Sequence, residues 1–162
     1  MNLELVPLHW TKDANIIIGQ SHFIKTVEDI AEIIANSVPG ATYGLAFNEA
    51  SGPCLVRTAG NDDGLIKDAS DCALASGAGH CFFLVLGDGL YPINLLDRIK
   101  ACPEVCHIFC ATANPLQLIV ASSEQGAGIL GVIDGGSPKG IETEADRAWR
   151  LSFLRKIGYK FG

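Results

Sequence analysis

The sequence predicts an α/β fold in one domain, residues 1–162, with a mixed central β-sheet covered by helices. Three observations carry that prediction. Strand-like and helix-like segments alternate along the chain, two pairs of strands are spaced as hairpins, and Cys81–Leu86 is an uncharged apolar run. That run is bounded by Gly79 before and Gly87-Asp88-Gly89 after, as suits a strand buried on both faces. At 162 residues the chain can bury roughly two thirds of the surface its unfolded form exposes, so no staple is needed for folding. With 48% apolar and 19% charged residues, it has the composition of a globular protein rather than a disordered one.

Leu3 to His9 alternates apolar and polar residues and contains Pro7, which marks an edge strand because proline has no amide proton for a central ladder. Asn15 to His22, with Ile16-Ile17-Ile18, reads as a second strand. Thr26 is the expected cap of a first helix, with Glu28 and Asp29 in its first turn and Val27, Ile30, Ile33 and Ile34 on its apolar stripe. Pro39-Gly40 ends it. Thr42–Phe47 and Cys54–Thr58 form a hairpin with a polar tip. Asn61-Asp62-Asp63 opens a second helix, which Gly77 stops.

After the strand at Cys81–Leu86, Tyr91-Pro92-Ile93-Asn94 leads into a short helix broken before Pro103. Val105–Ala111 and Leu116–Ala121 are apolar strands joined by Thr112-Ala113-Asn114-Pro115. Leu116–Ala121 and Ile129–Ile133 form a second hairpin. Glu142, Thr143 and Glu144 begin a last helix whose Ala145, Ala148, Trp149, Phe153, Leu154 and Ile157 are spaced to dock on the body.

Twelve basic and eighteen acidic side chains leave a net charge of −6, and no basic cluster is dense enough for a nucleic-acid backbone. No continuously apolar stretch reaches membrane-spanning length, and Met1-Asn2-Leu3-Glu4-Leu5 lacks the character of a signal peptide, so the expected location is the cytoplasm. Six cysteines form no CxxC pair and read as small buried hydrophobes. A zinc set of Cys102, Cys106, His107 and Cys110 fails because adjacent Cys106 and His107 would point to opposite faces of a strand. No metal ligands are therefore assigned. Gly126-Ala127-Gly128-Ile129-Leu130-Gly131 spells GxGxxG but precedes a strand instead of opening a helix, and Walker A, GxSxG and HExxH patterns are absent.

Chemistry-capable groups gather in three loops: Asn48–Gly52 with Arg57 and Asn61, Gly77–His80, and Thr112–Asn114 with Glu124–Gly128. His80, at the mouth of the central strand, is a candidate proton acceptor, metal ligand or nucleophile toward phosphorus, or else a ring satisfied by a tight turn. If the loops meet, Arg57 and the amides near Gly79 can hold a phosphate. Asn and Gln side chains can read a base edge, and Glu49 can accept from ribose hydroxyls.

The segments Gly44–Pro53, Val56–Asp62, Gly77–His80, Tyr91–Asn94, Cys110–Pro115, Glu124–Gly131 and Phe153–Phe161 together resemble the adenosine-specific kinase family, small proteins found largely in archaea and thermophilic bacteria. The resemblance implies a compact α/β domain, a homotrimer, and binding of adenosine or AMP, with His80 as candidate phosphoryl-bearing residue. The nucleoside- and phosphate-binding candidates are Glu49, Ser51, Gly52, Arg57, Asn61, Gly77, Gly79, Asn114, Gln125 and Gly126. The functional expectation is an adenosine- or AMP-binding phosphotransfer protein; no cofactor is assigned, Mg²⁺ being the candidate if transfer occurs. The alternative is a non-catalytic adenylate-binding sensor or carrier. Neither nucleic acid nor membrane is an expected partner.

Overall fold

A computed structural model describes residues 1–162 and shows an α/β architecture. The elements are β1 (Asn2–Leu8), β2 (Asn15–Ser21), α1 (Thr26–Ser37), β3 (Tyr43–Asn48), β4 (Val56–Gly60), α2 (Asp63–Ser76) and β5 (Cys81–Leu86). A 3-10 turn at Pro92–Asn94 leads to α3 (Leu96–Lys100), followed by β6 (Val105–Thr112), β7 (Leu116–Ser122), β8 (Ala127–Asp134) and α4 (Glu144–Lys156). The strands divide into two antiparallel sheets, ordered β4-β3-β5-β2-β6 and β1-β7-β8, where the sequence reading foresaw one central sheet. The segment Ala113–Pro115 carries the chain from the first sheet to the second, so β6 and β7 are sequential without being paired.

The apolar run of β5 is fully enclosed because the strand is paired on both edges and packed on both faces. It lies between β3 and β2, with Leu45 opposite Leu84 on one side and Ile17 opposite Leu84 on the other. Cys81, Phe83 and Val85 belong to a core with α2 (Leu65, Ala69, Cys72) and β7 (Leu116, Leu118, Val120). Phe82, Leu84 and Leu86 belong to a second core with α1 (Val27, Ile30, Ile34) and α3 (Ile99). Strand alternation thus assigns successive residues of one segment to two cores. Gly44 of β3 permits α2 to pack closely, since a Cβ there would collide with the backbone of Leu65 and Ile66.

Helix ends follow local chemistry. Asp62 caps α2 by accepting from the Leu65 amide at 2.9 Å, and Gly77 ends it in the left-handed region at φ 58°. Thr143 and Asp146 form a reciprocal capping box on α4. Two expectations are corrected. Thr26 does not cap α1. Lys25 is the flanking residue, and the buried Thr26 hydroxyl donates to the Phe23 carbonyl at 2.6 Å while contacting Ser21 Oγ. Nor does α4 bury a face: no residue of it is buried, and Trp149 is 66% exposed and stacked on Phe153. No helix is long and apolar enough to cross a membrane.

Because Phe83 has no exposed surface and lies between two paired strands, Phe83→Ala should lower unfolding stability by about 3–5 kcal/mol. Chemical denaturation checks this, the expected outcome being a lower midpoint with an unchanged denaturant slope.

Candidate functional site

The ends of β3, α2 and the loop before β5 converge on one point. Asn48, the last residue of β3, donates through its side-chain amide to the carbonyls of Ala73 and Ala78, both at 2.9 Å. The His80 amide donates to the Asn48 carbonyl at 2.7 Å, and the Ser21 amide donates to the His80 carbonyl at 2.8 Å. Gly79 passes so close to Ala50 that an added Cβ would lie 2.9 Å from the Ala50 Cβ. An isolated parallel bridge between Ala78 and Ala127 ties this loop to β8, across the gap between the two sheets.

Glu49 is the electrostatic centre. Its side chain is 7% exposed; Oε1 accepts from the Ala50 amide and the Ser51 hydroxyl, both at 3.0 Å, and Oε2 accepts from Arg57 Nε at 3.2 Å. Burial pushes this carboxyl up, but the hydrogen bonds from Ser51, the Ala50 amide and Arg57 outweigh it. The group is held below the ordinary carboxylate value and is ionised at neutral pH. His80 Nε2 lies 3.5 Å from Glu49 Oε1, an ion-pair distance when the ring is protonated.

His80 occupies the left-handed region at φ 59°, which a residue with a Cβ enters at a cost. The backbone bonds on either side hold it there. Its ring stacks on Phe47, with centroids 5.8 Å apart and planes within 13°, and its side chain is 35% exposed. Phe47 belongs to the core on the α1 side, so the imidazole sits round the corner from the side of the sheet that faces β7 and β8.

On that other side a cleft of about 710 Å³ opens between the β3–β4 loop, the C-terminal end of α2 and β8, a size suited to a small molecule. Glu49, Gly77, Gly79, Gln125 and Gly126 line it, joined by apolar Leu74, Ile129 and Leu130. Five of the predicted site residues therefore share one cavity. Arg57 and His80 flank Glu49, Ser51 holds the Glu49 carboxylate, and Gly52 supplies a left-handed turn at the loop tip. Two predicted residues lie elsewhere. The Asn61 side chain bridges the Tyr43 amide and the Ala41 carbonyl, fastening the entrance of β3 to the exit of β4. Asn114 donates to Asp134 Oδ1 at 3.1 Å beside a second cleft between the Pro7–Asp13 segment and Pro115.

Asn48 was not among the predicted ligand-binding residues, yet it lines the cleft, and its Oδ1 is enclosed without a hydrogen-bond partner. Its place at the end of an apolar strand was the available signal, since a buried amide there has to bond to neighbouring backbone.

A family model described as adenosine specific kinase matches residues 6–160. Among solved structures, the crystal structure of PH1918 protein from Pyrococcus horikoshii OT3 superposes with a TM-score of 0.93 at 40% sequence identity, covering 99% of each chain. No curated protein matches the sequence.

Replacing Glu49 by Gln removes the charge from the Arg57 and His80 pairs and should lower stability at pH 7 by about 1–3 kcal/mol. The wild-type carboxyl titrates below its ordinary value. Its contribution is therefore complete above the unfolded pKa of about 4.3 and is lost as pH falls through the lower folded pKa. Thermal melts from pH 7 to pH 3 should show the difference between wild type and Glu49→Gln shrinking toward acid.

Proposed function

The chain belongs to the adenosine specific kinase family, and from that premise we propose that its cleft binds adenosine or AMP and that His80 carries the phosphoryl group in transfer. The observation that supports this most directly is the Arg57–Glu49–His80 cluster at the edge of the cleft. An ionised Glu49 facing Nε2 favours the tautomer with its proton on that nitrogen, which leaves the lone pair on Nδ1 to attack phosphorus.

In the first step the Nδ1–P bond forms as the bond from phosphorus to the leaving oxygen of a nucleoside triphosphate donor breaks, and the electron pair departs on that oxygen. A ribose hydroxyl then attacks phosphorus, the nitrogen recovers its pair, and the hydroxyl proton leaves to solvent. Arg57 bonds Glu49 through Nε, so its terminal nitrogens are available to the phosphate oxygens. Glu49 is the one carboxylate lining the cleft, and both its oxygens already accept hydrogen bonds. Mg²⁺ would therefore arrive on the donor phosphates rather than on a free protein acid.

A second reading, a non-catalytic adenylate-binding sensor or carrier, is favoured by one observation: the His80 ring stacks on Phe47 and does not line the cleft. The working unit is a homotrimer in our reading. Support for association is the apolar surface left open at Leu3 and Leu5 of β1, Leu130 of β8, and Trp149 and Phe153 of α4.

Calorimetry with adenosine and AMP, and mass spectrometry for phosphohistidine after incubation with a nucleoside triphosphate, separate these readings. His80→Asn is the suitable variant because Asn tolerates the left-handed backbone. Wild type should bind and become phosphorylated at His80, while His80→Asn binds without phosphorylation. Binding without phosphorylation of wild type selects the sensor, and absence of binding overturns both. Sedimentation should give three chains per particle, and Trp149→Asp with Phe153→Asp should release monomers.

A further inference from the structure

We propose that Asp29, Cys102 and Glu104 form a binding site for a borderline-soft divalent cation of the Zn²⁺ class, separate from the cleft. The three side chains come from α1, the turn after α3 and the residue preceding β6, and one donor atom from each lies within 4.8 Å of the others. Cys102 Sγ is 3.0 Å from Glu104 Oε2. Glu104 is 2% exposed, and its Oε1 is enclosed and makes no hydrogen bond. An enclosed carboxylate oxygen without a partner is costly, and a cation between Glu104 and Asp29 supplies the missing positive charge.

The donor set, spacing and charge agree with such an ion. Bonds of about 2.0–2.3 Å place tetrahedral donors roughly 3.3–3.8 Å apart, so rotamer adjustment from the present spacing suffices. A thiolate beside two carboxylates selects Zn²⁺ or Co²⁺ over Mg²⁺ or Ca²⁺, and water can complete the fourth position. Three ionised donors carry three negative charges, which the divalent ion and the Lys25 ammonium, 2.7 Å from Asp29, together neutralise. The Asp29 side chain is 27% exposed and gives the ion a route from solvent. On binding, the metal–sulfur bond replaces the S–H bond of Cys102 and the proton is released. Burial, with the neighbouring Glu104, otherwise keeps that thiol protonated by raising its pKa to about 12.

The cation would pin α1 to the start of β6. It also borders the His80 network, because the Ser21 hydroxyl donates to the Glu104 carbonyl while the Ser21 amide bonds the His80 carbonyl. Cys102 is the one member of the cysteine–histidine set considered in the sequence that enters this cluster; Cys106, His107 and Cys110 do not.

The test is titration of the chelator-stripped full chain with Co²⁺ and with Zn²⁺, read by absorption, proton release and metal analysis. One equivalent of Co²⁺ should bind with a thiolate-to-metal charge-transfer band that Cys102→Ser abolishes. Asp29→Asn and Glu104→Gln should each weaken Zn²⁺ by about tenfold or more. Glu104→Gln disturbs a buried group, so Asp29→Asn, on the more exposed partner, is the variant that keeps the test decisive. Absence of the band in wild type at saturating Co²⁺ overturns the proposal, as does unchanged affinity in folded Asp29→Asn.

Discussion

The structure depends on enclosure of β5. A strand with partners on both edges and apolar layers on both faces has no freedom of register, because a slip of one residue would exchange Phe82 and Phe83 between two differently shaped cores. Everything that covers β5 is fixed with it: α1 and α3 on one face, α2 and β7 on the other. The order of the five-stranded sheet follows, since β2 and β3 are chosen by the strand they must flank.

The site inherits this rigidity. His80 immediately precedes β5, and backbone bonds to Asn48 and Ser21 leave its position determined by the two neighbouring strands. That is why a left-handed conformation persists at a histidine: the surrounding ladder over-determines it. Glu49, one residue past β3, is aimed at Arg57 and His80 by bonds within its own turn. A charge cluster built this way keeps its geometry without needing a ligand to organise it, which is the condition for electrostatic preorganisation.

Much of the fold was legible because the relevant signals are local. Asp62, Gly77 and Thr143 act at their own helix ends, and the apolar run at Cys81–Leu86 announces a doubly covered strand. Thr26 misled because its hydroxyl bonds the carbonyl three residues back, an alternative that short polar side chains always offer the backbone. Glu49, Gly77, Gly79, Gln125 and Gly126, singled out in the sequence by loop composition, all line one cleft. Asn61 and Asn114 have the same composition signal but spend their amides on neighbouring chain. Which of these fates an asparagine meets depends on tertiary distance, and no spacing rule in one sequence encodes that. The division into two sheets was hidden for the same reason, since a short link between β6 and β7 is equally compatible with a hairpin.

The helical spacing of α4 was read as a docking face, yet no residue of the helix is buried and Trp149 and Phe153 stay exposed. Thirteen residues held by a capping box and the Glu142–Arg150 ion pair are marginal as an isolated helix in water. In the trimer proposed above, the order of this segment would be borrowed from the neighbouring chain that covers Trp149 and Phe153. On that proposal, amide exchange and protease cutting between Glu144 and Lys156 would report on protein concentration, whereas the same measurements on β5 report on global unfolding.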